Sequence, residues 1–215
     1  MITLILVRHG ESIANLQLLR SGQTDFALSE LGYRQADMTA DYLKDTYPID
    51  VIYASDLSRT MATAAPTARA LGLEIRPDKE LREINAGIWE GISRSAPIDM
   101  DLFQAWMNDG AVAPEGGETH RHMRARVNAE VDRILAENPG KCVALFTHWG
   151  VIQKIIQRWW TEKPELKETY EKVPFCNSSV TVAEYHDNGT LARIRCVGYA
   201  DHLGGMITST GKYQI

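Results

Sequence analysis

Leu4-Ile5-Leu6-Val7-Arg8-His9-Gly10-Glu11-Ser12 decides the architecture of this 215-residue chain. Four apolar residues in a row, cut off by Arg8-His9-Gly10, read as a strand buried on both faces, because a half-exposed strand would alternate. The pattern recurs at Val51-Ile52-Tyr53-Ala54, stopping at Ser55-Asp56, and at Cys142-Val143-Ala144-Leu145-Phe146, stopping at Thr147-His148. Helical stretches separate these runs. Ser29 suits the N-cap of a helix reaching about residue 45, with Leu31, Ala36, Ala40 and Leu43 on one stripe. Residues 57–71 are Ala-rich and end at Gly72, and residues 118–138 carry Val127, Val131, Ile134 and Leu135 ahead of Pro139-Gly140. Residues 150–160 make a fourth helix, and residues 74–76 a short strand.

Strands alternating with helices predict a parallel sheet covered on both faces, a three-layer α/β/α sandwich. Asp187-Asn188-Gly189 between residues 179–185 and 191–197 signals a hairpin that adds antiparallel strands at one edge. At roughly 150 residues per domain, the length predicts a single domain over 1–215. Residues 91–117, weakly periodic and holding Pro97 and Pro114, read as a short lid or insertion within it.

Composition narrows the function classes. Lys plus Arg number 23 and Asp plus Glu 28, a net charge of −5, which disfavours nucleic acid or a membrane surface as the partner. Cys142, Cys176 and Cys196 show no metal-site spacing, so a reduced, intracellular protein is expected. The N-terminal apolar run stops after four residues and has no basic region before it, unlike a signal peptide or span, so the cytoplasm is the expected location. A cluster of Arg and His in so acidic a chain needs a local explanation.

Open parallel sheets bind ligands just beyond the carboxyl ends of their strands. Arg8-His9-Gly10-Glu11-Ser12, Ser55-Asp56-Leu57-Ser58-Arg59-Thr60 and Thr147-His148-Trp149-Gly150 lie there. Two histidines and two arginines thus converge at one end of the sheet, a set suited to an anion, since guanidinium donors match phosphate oxygens and keep their charge when desolvated. Taken singly, His9 or His148 reads as a core histidine and Arg59 as a solvated helix residue. Gly10 after His9 permits close backbone approach to a ligand, and Arg59 lies one turn into a helix that starts at the site. Phosphoryl transfer to or from an alcohol also needs a proton source. Glu83, between apolar residues in Leu81-Arg82-Glu83-Ile84, is the first candidate, with Glu80 and Glu90 competing.

These motifs resemble the histidine phosphatase superfamily, which includes cofactor-dependent phosphoglycerate mutase. Val7-Arg8-His9-Gly10-Glu11-Ser12 is similar to its signature and Asn15 follows at the expected distance. Asp25-Phe26-Ala27-Leu28-Ser29-Glu30-Leu31-Gly32 is similar to its "D-x-x-L-[ST]-x-x-G" segment, and Arg59-Thr60 with Thr63-Ala64 to its second arginine motif. Leu81-Arg82-Glu83-Ile84 with Gly87-Ile88-Trp89-Glu90-Gly91 resembles the acid loop, Glu115-Gly116-Gly117-Glu118-Thr119 the following helix start, and Thr147-His148 the second histidine. The matches continue more weakly through Asn177-Ser178-Ser179-Val180.

The resemblance implies a phosphoglycerate mutase-like fold and a catalytic set of His9, Glu83, Arg8, Arg59 and His148. In it His9 attacks phosphorus, Glu83 protonates the leaving oxygen, and Arg8, Arg59 and His148 hold the phosphoryl oxygens. Asn15, Gln23, Thr24 and Trp149 are expected against the substrate, with no metal and no cofactor. Trp149 departs from the small residue common after the second histidine, and Gln23 from the aromatic common before "[TS]-D".

The expected activity is hydrolysis of a small phosphate ester by a monomer or homodimer, with broad specificity favoured. Mutase-type transfer, or α-ribazole phosphatase as the specific activity, are the alternatives, and sugar and nucleotide-derived phosphates also remain open. A mutase must keep water from its intermediate. The lid is short, and Asp99, Asp101, Asp109 and Glu115 outnumber its one cation, Arg94, which disfavours a phosphorylated carboxylic acid. Trp89, Phe103, Trp106, Met107 and Trp149 read either as an apolar wall at the opening or as packing. Trp159 and Trp160 read as a self-association surface or a buried helix face. A metal hydrolase built on His9 and His148, with His120 and His122 nearby in sequence, is disfavoured because two arginines would repel the cation. A silent scaffold of the same fold is disfavoured by the presence of both His9 and Glu83.

Overall fold

Consecutive strand residues point to opposite faces, so an unbroken apolar strand must feed two cores. In β1 (Ile2–Arg8), Ile2, Leu4 and Leu6 enter one cluster, and Ile5 and Val7 the other. A computed structural model describes residues 1–208 apart from Asp109 and Lys172. The lid residue Asp109, and residues 209–215 of the expected domain, lie outside the described residues.

After α1 (Ile13–Leu16) and α2 (Glu30–Thr46) come β2 (Val51–Ser55), α3 (Ser58–Leu71) and β3 (Ile75–Asp78). Next follow α4 (Met100–Asn108), α5 (His120–Glu137), β4 (Cys142–Thr147), α6 (Trp149–Glu162) and α7 (Leu166–Tyr170), then β5 (Val180–Tyr185) and β6 (Leu191–Tyr199). The sheet order is β3-β2-β4-β1-β5-β6; the first four strands are parallel, β5 runs antiparallel to β1, and β6 antiparallel to β5. This is the expected mostly parallel sheet with an antiparallel edge. α5 and α6 bury Val127, Val131, Ile152 and Ile155 on one face, and α2 and α3 bury Leu43, Ala64 and Ala68 on the other. Each such Val, Leu or Ile side chain contributes roughly 1.5–3 kcal/mol when fully buried, and each alanine methyl less.

Some helix ends follow local chemistry and others are capped from a distance. Ser29 Oγ accepts the Gly32 N–H at 3.1 Å, as expected of an N-cap. Leu57 at the start of α3 has no capping side chain; Asp25 Oδ1 instead accepts the Ser58 N–H at 2.8 Å. The "D-x-x-L-[ST]" segment therefore caps a helix more than thirty residues away. The lid contains one regular element, α4. Its Trp106 is fully buried and donates from Nε1 to the Glu118 carbonyl at 2.9 Å, and it packs against Trp89 with ring centroids 5.4 Å apart. Trp89 and Trp106 are core side chains, not a wall at an opening. Trp159 is buried likewise, donating to the Tyr185 hydroxyl at 2.6 Å, so that residue offers no self-association surface. Among the described residues no helix is long and apolar enough to cross a membrane.

Gly32 fixes how closely α2 approaches the loop after β1. A Cβ there would lie 2.0 Å from the Glu11 carbonyl oxygen, backbone that cannot swing aside. Gly32→Ala is expected to cost about 1–3 kcal/mol through overpacking, lowering the thermal midpoint by several degrees. An unchanged midpoint in a melting experiment would show that loop and helix separate freely.

Candidate active site

Strand register brings the two histidines together. β1 and β4 are adjacent and parallel with Arg8 opposite Thr147, so His9 and His148, one residue further on, must be neighbours. Their ring centroids lie 5.2 Å apart, and the His9 N–H donates to the Thr147 carbonyl at 2.9 Å. β2 ends level with β4, which places Ser55 Oγ 2.9 Å from His148 Nε2. Arg59 comes from the first turn of α3, and Thr63 one turn later accepts the Gly10 N–H at 2.9 Å. Arg8, His9, Arg59, Glu83 and His148 are all buried, none more than 4% exposed.

Hydrogen bonding fixes the tautomer of His9. His9 Nδ1 lies 2.7 Å from the Gly10 carbonyl, which can only accept, so Nδ1 carries the proton and Nε2 the free lone pair. His148 Nε2 shares a hydrogen bond with Ser55 Oγ, which also accepts the Leu57 N–H at 3.5 Å. Burial holds both rings well below the ordinary histidine value, and Arg59 and Arg8 push in the same direction. Both are neutral at physiological pH.

Buried guanidiniums need acceptors. Arg8 donates to the Phe175 carbonyl at 2.6 Å, and Arg59 to the Gly22 and Thr24 carbonyls at 2.7 and 3.0 Å. Burial lowers each to about 10, opposed chiefly by Glu83, so both stay charged. Among the described residues, Arg59 Nε and His148 Nδ1 are buried without a hydrogen-bond partner. Such unmet buried polar groups are costly unless a partner arrives.

Glu83 is held from both sides. Its carboxylate accepts the Ile84 N–H and the Gly150 N–H, each at 2.9 Å, and a Cβ on Gly150 would lie 2.2 Å from Oε1. Its carbonyl accepts from Gln23 Nε2 and from Arg126, both at 3.1 Å. Arg126 is itself paired with the buried Glu118 at 2.7 Å. The competing carboxylates lie elsewhere. Glu90 accepts the backbone N–H groups of Gln23, Thr24 and Ala86 and the Thr24 hydroxyl, and Glu80 is exposed.

The four expected substrate residues lie around this centre in different ways. Asn15 Oδ1 accepts from Ser12 and from Asn177 Nδ2, so only the Asn15 amide donors remain for a ligand. Gln23 and Thr24 bridge Glu83, Glu90 and Arg59, and Trp149 opens α6, half-buried. His120 and His122 diverge as expected: His120 packs on Trp106 at 5.2 Å, while exposed His122 pairs with Glu118 at 3.0 Å. Sequence reading assigned nothing to Ser55, Arg126, Phe175 or Asn177. Asn177 Nδ2 donates to the His9 carbonyl at 3.1 Å, and Ser178 beside it has φ 58°, a left-handed conformation a non-glycine residue rarely adopts. The weakly matching Asn177-Ser178-Ser179 segment was the available signal.

Comparison with known proteins identifies the family. A profile of the histidine phosphatase superfamily (branch 1) matches residues 4–196. The glucosyl-3-phosphoglycerate phosphatase of Mycobacterium tuberculosis is 36% identical over 160 residues, covering 69% of this chain and 71% of that protein. The phosphoglycerate mutase-like protein 4 of Arabidopsis thaliana is 30% identical over 205 residues, 93% and 86% of the two chains. The structure of Bacillus stearothermophilus YhfR superposes with a TM-score of 0.82 at 28% identity, covering 94% of this chain and all of the other. The chain spans 43% of the length of other curated relatives, among them a bifunctional protein of M. tuberculosis that is 33% identical over 156 residues.

The depressed histidines predict an acid-side loss of stability. Above the ordinary pKa of 6.5 the rings are neutral whether folded or unfolded; below it the unfolded chain binds protons that folded His9 and His148 refuse. His120 and His202, lowered by burial to about 4, add to the effect, and Glu130, raised by burial, opposes it. Stability should fall as pH drops through 6.5, by up to about 1.4 kcal/mol per pH unit for each histidine. Urea midpoints measured from about pH 7.5 to about pH 5 test this, and a flat profile contradicts it.

Proposed function

Because the chain belongs to the histidine phosphatase superfamily, branch 1, we propose that it hydrolyses phosphomonoesters of a small metabolite through a phosphohistidine on His9. One observation carries the reading: among the described residues, the buried Arg59 Nε–H and His148 Nδ1 lack hydrogen-bond partners beside an imidazole whose free lone pair is on Nε2. A tetrahedral phosphate supplies oxygens for the guanidinium donor and phosphorus for that lone pair, and it can partner His148 Nδ1 through whichever of its oxygens or protons the tautomer requires.

In the first step His9 Nε2 forms a bond to phosphorus while the ester P–O bond breaks, its electrons passing to the leaving oxygen. Glu83, as the carboxylic acid, gives that oxygen its proton. Arg8, Arg59 and His148 offset charge on the phosphoryl oxygens during the in-line transfer. In the second step water forms the new P–O bond, Glu83 takes its proton, and the N–P bond breaks to restore His9. The guanidiniums supply the positive charge, so this route calls for no metal or cofactor. A neutral nucleophile suits it, and burial with two arginines keeps His9 neutral.

Mutase-type chemistry shares the phosphohistidine and differs in what takes the phosphoryl group next. The lid, which we assign to the same single domain, has one nine-residue helix, and two of its aromatics are consumed in packing. So little covering structure favours water as the acceptor. The M. tuberculosis phosphatase relative fits the same assignment.

His9→Ala should abolish phosphate release from p-nitrophenyl phosphate while keeping the wild-type circular dichroism spectrum; retained turnover would remove His9 from the chemistry. Glu83→Gln should slow alkyl phosphates about 10²–10⁴-fold and aryl phosphates far less, because a phenolate leaves without a proton. Equal slowing of both ester classes would assign the acid role to another group.

A further inference from the structure

A cavity of about 300 Å³ borders the residues that hold the Glu83 carboxylate. Ile84 and Gly150, the two residues whose N–H groups hold the Glu83 carboxylate, form part of its wall. Met107 and Trp149 add apolar surface, His120 and Gln153 neutral polar groups, and Arg124 and Lys154 positive charge; among the described residues no carboxylate lines it. Lys154 is half-buried, and among the described residues it bonds the neutral Gln157 amide at 3.4 Å and no carboxylate. Burial pushes its ammonium down and the nearby Glu83 pulls it up. His120 has both ring nitrogens buried without a partner among the described residues.

We propose that this cavity receives the leaving group of the substrate, and that this group carries a second negative charge, which Lys154 and Arg124 bind. The inference rests on the phosphatase reading, because an acid that protonates the leaving oxygen must stand beside whatever hangs from that oxygen. Another cavity bordering this loop, about 410 Å³, is lined by Gln23 and Arg126, which bond the Glu83 carbonyl. Its arginines are already matched, Arg82 with Asp56 at 2.6 Å and Arg126 with Glu118 at 2.7 Å. Lys154 and Arg124 have no such partner among the described residues, so an anionic substituent gains a charge-assisted bond there without displacing a carboxylate. Trp149, in place of a small side chain, gives the same leaving group an apolar face to lie on. The described acidic residues of the lid, Asp99, Asp101 and Glu115, which argued against such a substrate, are not among the lining residues.

Steady-state kinetics with paired esters test this. 3-Phosphoglycerate and glycerol 3-phosphate share a three-carbon skeleton and differ in carrying a carboxylate or a hydroxymethyl group. Glucose 1,6-bisphosphate and glucose 6-phosphate make the matching pair for a second phosphate. In at least one pair the charged ester should have a kcat/KM about tenfold or more above its partner, chiefly through KM, the worth of one charge-assisted hydrogen bond. The pair that discriminates identifies the anion. Lys154→Met, which keeps the aliphatic stem, and Arg124→Gln, at an exposed helix position, should each bring that ratio towards one; if the first does not fold, the second decides. Equal efficiency within both pairs, or a ratio untouched by both substitutions, overturns the inference alone. No phosphate release from any ester overturns the phosphatase reading and this inference with it.

Discussion

Two fully buried guanidiniums, Arg8 and Arg59, constrain everything around them. Moving an ion out of water costs several kcal/mol even after the protein relaxes, and a carboxylate partner for each would cancel the charge the site is built to hold. Main-chain carbonyls do most of the work instead. They come from Phe175 just before β5 and from Gly22 and Thr24 in the loop between α1 and α2. Glu83 is the carboxylate that acts most strongly on both. Three loops distant in sequence must therefore close over one end of the sheet before the arginines can be buried at all. The site and the packing of that end are one problem.

The same economy of negative charge explains the supports of Glu83. Its loop is tied down through its backbone, by Gln23 and by Arg126 paired with Glu118, and its carboxylate meets only N–H groups of Ile84 and Gly150. Carbonyl and amide anchors hold the carboxylate in place without neutralising it. Arg126 is paired with Glu118, whereas Arg124 and Lys154 have no carboxylate partner among the described residues. The nine-residue lid helix spends its largest aromatic, Trp106, on the core and the Glu118 carbonyl, which fixes the helix start that carries this pair.

Much of this was legible in the chain. Continuous apolar runs gave the three buried strands because a strand between two cores has no polar face, and the residues ending those runs are those at the carboxyl edge. Ser29 and Gly72 marked helix ends by local backbone chemistry. The cap of α3 was not readable as a cap, since Asp25 lies more than thirty residues from Ser58. The aromatic residues around the lid were ambiguous for a related reason: Trp89 and Trp106 look alike as a wall or as core, and only their mutual packing separates the two. Counting charges along residues 91–117 could not register Arg124 and Lys154 at the proposed leaving-group cavity, because they come from α5 and α6.

By itself the sequence determined the layers, the strand ends and the residue types that converge on an anion, because these follow from side-chain periodicity and from chemistry carried within a few residues. Tertiary structure alone decided which nitrogen of His9 is free, which carbonyls accept from Arg8 and Arg59, and which cations beside Glu83 stay unmatched. Those outcomes depend on groups brought together from distant segments, and hydrogen bonds and Coulomb terms at a few ångströms are set by that placement rather than by order along the chain.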